Sequence, residues 1–167
     1  MPCDADLLLV NANVLTMDPG RPRARAVAVG PERAGWLYRQ RSLLDAGLVL
    51  SGSSDRPVAS GAPLLGIHDM VNRRTDTGAP FNDAEAVTAA EALRAYTWGS
   101  AYASRQEHIK GSITPGKLAD FTVLSEDPTA VAANRIAGLE VAATFVDGVL
   151  RHTAPGSDLS VDNSKKR

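Results

Sequence analysis

Residues 48–58 have the sequence LVLSGSSDRPV, in which a short apolar run ends in small polar residues and one carboxylate, Asp55. Parallel barrels place their catalytic groups at the carboxyl ends of their strands. The pattern therefore predicts a buried strand at Leu48–Ser51 that presents Asp55 at its tip, and Asp55 is the first candidate for a catalytic residue.

The flanking segments predict helices and a long connection. Glu32–Asp45 has the pattern of a helix, with apolar residues set among arginines. The segment 53–80 is rich in Gly, Pro, Asp and Arg, and an irregular stretch of this length is usually functional or contains short helices. Asn82–Ser104 predicts a second helix, with Asn82 as its N-cap and Glu85 completing a capping box.

Both ends of the chain have the pattern of β-strands. The apolar runs fall within Asp6–Met17, Ala24–Val29, Ala119–Leu124 and Val141–Arg151. The first two predict a small meander, and Asp147-Gly148 predicts a two-residue hairpin turn inside the last. With helices between these ends, the fold class predicted is α+β.

Composition excludes several classes of protein. The chain has 167 residues, 44% of them hydrophobic, and a formal net charge of −1, which fits one globular domain. No polybasic field indicates a nucleic-acid or acidic membrane partner. Cys3 is the one cysteine, so no internal disulfide can form, and no apolar run is long enough to cross a membrane. We expect a cytoplasmic protein.

Five stretches together resemble the amidohydrolase superfamily, specifically the amidohydrolase family 3 group. They are DLLLVNANVLTMDPGRPRARAVAV (6–29), RSLLDAGLVLSGSSDRPV (41–58), EALRAYTWGSAYAS (91–104), GSITPGKLADFTVL (111–124) and VAATFVDGVL (141–150). Their order along the chain is what makes the resemblance specific.

The resemblance implies a metal-dependent (β/α)8 barrel beside a small β-sandwich built from both chain ends. On this chain, residues 5–29 and 111–151 would form the composite sandwich. Residues 32–104 would be the last strand and helices of an incomplete barrel, and 153–167 a disordered tail. A full barrel needs about 200 residues or more, so the chain resembles an internally truncated member.

The resemblance also implies a reaction, namely hydrolysis of a small amide-like substrate at a non-peptide carbon–nitrogen bond by metal-activated water. Asp55 matches the family aspartate that contacts the zinc-type metal and takes a proton from the water. The family's His-x-His pair is missing, and His68, His108 and His152 match no ligand position. We therefore expect tight metal binding by this chain to be absent and the chain alone to be inactive.

Three functional hypotheses remain open at this stage. The chain is the remnant of a hydrolase, or a non-catalytic β-sandwich module that acts in assembly, or a fragment that complements another chain. Barrel edges left uncovered would promote self-association. The sequence does not decide whether it is a pseudogene product, a fragment or a complementing half.

Overall fold

The computed structural model describes residues 7–15, 23–29 and 35–157. The strands are β1 (Leu7–Leu15), β2 (Arg23–Val29), β3 (Phe121–Leu124), β4 (Val141–Val146) and β5 (Val149–Thr153). The α-helices are α1 (Gln40–Asp45), α2 (Pro63–Asn72), α3 (Ala89–Arg94) and α4 (Ser100–Ala103). A π-helical turn (Ala95–Gly99) joins α3 to α4, and 3₁₀ turns lie at Asp83–Glu85 and Ala133–Gly138. The predicted α+β class is confirmed.

The strands form two antiparallel sheets. β1 pairs with β2 from Leu7↔Val29 to Leu15↔Arg23, and β4 is the central strand of the sheet β3-β4-β5. The two runs predicted as a small meander, Asp6–Met17 and Ala24–Val29, contain β1 and β2, and the register of their pairing shifts between Val10 and Val14. No ladder joins the two sheets among the described strands, so the composite sandwich stays a prediction.

The β4–β5 hairpin confirms the prediction from Asp147-Gly148. Both turn residues have positive φ, 51° and 71°, which a tight two-residue hairpin turn requires and which glycine adopts without strain. The Phe121 and Phe145 rings stack across β3 and β4 with centroids 4.5 Å apart. Thr153, placed at sequence level in a disordered tail, belongs to β5, and residues 158–167 lie outside the described ranges.

The predicted helix Asn82–Ser104 begins at a different cap. Asn82 has a left-handed conformation with no capping hydrogen bond, and only a 3₁₀ turn follows it. The α-helix starts at Thr88, whose Oγ1 accepts from the Glu91 N–H at 3.2 Å, while the Glu91 carboxylate accepts from the Thr88 N–H at 2.8 Å. The same capping-box pattern occurs twice in this segment, and the prediction chose the wrong copy.

The strand predicted at Leu48–Ser51 is wrong. The segment has no regular secondary structure, and the Val49 and Leu50 N–H groups find no backbone acceptor within the described ranges. A β-strand requires backbone hydrogen bonds to a neighbouring strand, and no described strand lies beside this run. The helix predicted at Glu32–Asp45 is also shorter, since only Gln40–Asp45 of its described part is helical.

The core lies among the helices. α2, α3 and the 3₁₀ turn at 133–138 pack together. Their buried apolar side chains are Ile67, Met70, Ala92 and Ile136, joined by Val87 before α3 and Ala95 in the π-turn. Leu50 packs against this cluster from one side. α2 lies inside the long stretch that composition marked as irregular, as the alternative of hidden short helices allowed. No helix in the described part of the chain is long and apolar enough to cross a membrane.

Candidate functional site

Asp55 lies in the wall of a cavity of about 500 Å³. The loop 50–55, helix α2 and Tyr96 supply much of this wall. Asp69, Arg73 and Arg74 also line the cavity, so four charged groups, two of each sign, surround one space.

Tyr96 fixes the loop against α2 through two glycines. A Cβ at Gly52 would lie 2.4 Å from the Tyr96 ring, and a Cβ at Gly66 would lie 1.9 Å from the Tyr96 hydroxyl oxygen. The ring therefore occupies space that any side chain at either position would take. Its hydroxyl donates to the Ser53 carbonyl at 3.2 Å, and burial raises the pKa of Tyr96.

The π-helical turn holds the other end of the loop. The Ala95 carbonyl accepts from the Gly52 N–H at 2.9 Å and also from the Ser100 hydroxyl at 3.0 Å. A Cβ at Gly99 would lie 2.0 Å from the Leu50 carbonyl oxygen, so glycine is needed for this close approach. π-turns are frequent at functional sites, and here one positions the segment that leads to Asp55.

Asp55 itself is exposed and sits in a tight turn. Its φ is 53°, a left-handed conformation that aspartate tolerates better than most residues. Its N–H donates to the Ser53 hydroxyl at 3.2 Å, and its carbonyl accepts from the Val58 N–H at 2.8 Å. No side chain or N–H group in the described ranges donates to its carboxylate, which is therefore accessible to water and ligand.

The histidines lie elsewhere. His68 is on α2, where its Nδ1 contacts the Asp69 carboxylate at 3.0 Å, and it does not line the cavity. His108 is exposed after α4, and His152 is exposed on β5 opposite Thr144. Asp69 lies in the cavity wall with Asp55, whereas His68 and Asp76 do not.

The donor set does not fit a metal site. Catalytic zinc typically takes three protein ligands and a water. In residues 35–157 and the two described N-terminal strands, no three His, Cys, Asp or Glu side chains converge on one point. The two exposed carboxylates of the cavity wall, Asp55 and Asp69, do not replace such a set.

The burial of two charged residues, Glu85 and Arg73, was not predictable from the sequence pattern. Glu85 accepts hydrogen bonds from the Ser42 hydroxyl and from the Ser42 N–H, the latter at 2.8 Å, and these bonds lower the pKa of Glu85. Arg73, at the end of α2, is 6% exposed. Arginine is almost never fully buried unless paired, so the burial of Arg73 is unexpected from its residue type.

The chain belongs to the amidohydrolase family, whose model matches residues 8–152. It is 45% identical over 121 residues to the N-substituted formamide deformylase of Arthrobacter pascens. It is 35% identical over 123 residues to YtcJ of Bacillus subtilis and 35% identical over 127 residues to LONG AFTER FAR-RED 3 of Arabidopsis thaliana.

These matches cover 72%, 72% and 74% of this chain but only 22%, 23% and 21% of the respective relatives. The chain thus spans about a fifth of the length of the curated relatives it matches. No solved structure matched it closely enough to identify a relative.

Proposed function

We propose that this chain is the Asp55-bearing part of a hydrolase that cleaves non-peptide carbon–nitrogen bonds of small amides, and that alone it is inactive. Family membership and the similarity to a formamide deformylase support the reaction class. The observation on which the proposal depends is that Asp55 faces a cavity of about 500 Å³ whose wall contains no histidine.

Asp55 would act as a base toward the attacking water. Its carboxylate is exposed and accepts no hydrogen bond from the described residues, so it is free to hold a water and take its proton. General-base catalysis contributes typically about 10²–10⁴-fold, which is a small part of an enzymatic rate enhancement. The described residues do not fit the divalent metal that the family resemblance implies, and for this reason we propose no turnover by the isolated chain.

The test is a pair of aspartate variants. Wild type, Asp55→Asn and the control Asp76→Asn, which alters an exposed loop aspartate outside the cavity wall, are assayed on simple formamides and amides with added zinc. We expect no hydrolysis above background in any of them and only weak zinc binding by calorimetry. Stoichiometric micromolar zinc binding that is lost in Asp55→Asn but kept in Asp76→Asn would contradict the proposal.

A second candidate function is complementation of another chain that supplies the rest of a barrel. Its support is the run at Leu48 and Val49, which are 55% and 43% exposed, and the Val49 N–H, which finds no backbone acceptor within the described ranges. Mixing the chain with an Arthrobacter pascens deformylase that lacks the matched 121 residues tests this. A stable complex with restored deformylase activity supports it, and no association on size exclusion rejects it.

The division of the chain follows from the same proposal. Residues 5–29 and 111–151 would form one β-sandwich, and residues 32–104 the last part of a barrel. The β1–β2 hairpin supports this, because an isolated two-stranded hairpin is marginal in water and needs a covering partner. Cross-links between cysteines placed at Arg25 and Thr122 would support it, whereas a hairpin that never approaches β3–β5 would oppose it.

A further inference from the structure

Arg73 is a buried cation with incomplete hydrogen bonding. Its Nη1 donates to the Gln40 side-chain oxygen at 3.1 Å and its Nε to the Asn82 carbonyl at 3.4 Å, and both acceptors are neutral. Its Nη2 is buried and has no partner among the described residues. No carboxylate in the described ranges lies within 4 Å of the guanidinium, so the charge has no direct counter-ion.

The surroundings compensate this charge only in part. Glu85 and Asp83 stabilise the cation from a longer distance, yet Glu85 already accepts from Ser42. The Arg73 guanidinium carbon lies 5.3 Å from the Phe81 ring centroid and 6.0 Å from that of Tyr38. A buried cation that lacks a bonded anion is costly, and aromatic faces offset that cost only modestly.

Arg73 lies in the cavity wall, where a small ligand could reach it. Arg73, Gln40, Tyr38 and Phe81 all line the cavity that contains Asp55. Tyr38 is 68% exposed, and rotation of such an exposed side chain is fast, so its ring can turn away from the Arg73 guanidinium carbon, which lies 6.0 Å from the ring centroid. The hydrogen-bond partners of Arg73 are different residues from those of Asp55, so the two residues can have separate roles.

We propose that Arg73 and Gln40 form a subsite for the carboxylate group of a small ligand. A guanidinium presents a rigid set of donors that matches a carboxylate, and its Nη2 hydrogens are the ones left without an acceptor. Arg74, exposed in the same wall, adds positive charge. The subsite rests on the proposed function only in that the cavity binds a small molecule.

Two sources of the carboxylate are possible in an amidohydrolase, namely the acid released from an amide or a carboxylate already present on the substrate. Acetate with its neutral counterpart acetamide represents the first. N-acetylglycine with N-acetylglycinamide represents the second. Each pair differs in the charged group and little else, so preference for the acid measures the subsite directly.

The experiment is an NMR titration of the full chain with these four compounds. We expect at least one acid to bind and to shift the Gln40 side-chain amide, with its amide counterpart at least about tenfold weaker. Arg73→Gln should weaken acid binding about tenfold or more, the control Arg74→Gln less than about threefold, and Tyr38→Ala should keep or tighten it. Circular dichroism checks that each variant is folded.

Equal binding of acid and amide by the wild type would overturn the subsite, as would acid binding that survives in folded Arg73→Gln. If Arg73→Gln does not fold, the wild-type preference and Tyr38→Ala decide, and loss of acid binding in folded Tyr38→Ala would also overturn it. Because the readout is equilibrium binding, failure of the subsite is distinct from any result of the hydrolysis assays.

Discussion

Val141–Val146 and Leu48–Ser51 are both short, mainly apolar runs, yet only Val141–Val146 is a strand. β4 is hydrogen-bonded on both sides, and Ala143 at its centre is fully buried. Leu48 and Val49 are exposed, and only Leu50 packs against the core. The difference teaches that apolar composition specifies a strand only when the same chain brings pairing partners to it.

The contrast is tested most strongly by introducing one aspartate into each run. Ala143→Asp should destabilise the chain by roughly 3 kcal/mol or more, because an unpaired carboxylate would replace a fully buried methyl group. Val49→Asp, at a 43% exposed position, should change stability by less than about 0.5 kcal/mol. Urea denaturation followed by circular dichroism measures both, and a large cost at Val49 would mean that this run is covered in solution.

The second-largest loss of stability is expected at the turn between β4 and β5. Gly148 has φ of +71°, so Gly148→Ala should cost about 1 kcal/mol. The control is Gly138→Ala, where an added Cβ meets no atom within 4 Å and φ is not in the left-handed region. Thermal melting should separate the two variants, and equal melting temperatures would show that the turn does not limit sheet stability.

The next prediction tests how much helix α3 stabilises the run Leu48–Ser51, and it concerns Thr88. Thr88→Ala removes the cap of α3, the helix that continues into the π-turn holding Leu50 and Gly52, and should cost about 1 kcal/mol. Thr88→Ser keeps the hydroxyl and should cost much less. If both variants unfold at the same urea concentration, the capping box contributes nothing measurable.

The smallest expected effect is on the pH dependence of stability, and it involves helix α1, which precedes Leu48–Ser51. The Ser42 hydrogen bonds hold the pKa of Glu85 below its ordinary value, so Glu85 favours the folded state when it is ionised. This stability is present above the ordinary carboxylate pKa, about 4.3, and is lost as the pH falls through the lower folded-state pKa. Stability between pH 5 and pH 2 should therefore fall less steeply in Glu85→Gln than in wild type. Parallel pH profiles of the two proteins would exclude the effect.

Local features were predictable, whereas features set by distant contacts were not. Asp147-Gly148 defines its turn within two residues, so the hairpin was found. Thr88 and Asn82 both precede an acid by three positions, so this spacing does not show which of them caps the helix. The burial of Arg73 depends on Gln40, 33 residues away, and no periodic pattern records that contact.

The cavity itself was predictable only through Asp55. The family resemblance identified this aspartate. Tyr96 was missed because its role depends on the absence of side chains at Gly52 and Gly66. The space for the Tyr96 ring forms only where the segments containing Gly52, Gly66 and Tyr96 meet, so the sequence alone does not reveal it.

The π-turn at Ala95–Gly99 makes this region intolerant of a change in length. Each residue of a helix turns the chain by about 100°, so deleting one residue between 95 and 99 would rotate everything that follows. The Ala95 carbonyl would return to a regular helical ladder and release Gly52. Substitutions there would be tolerated according to their size, but a single-codon deletion would displace the Asp55 loop without altering any residue of the loop itself.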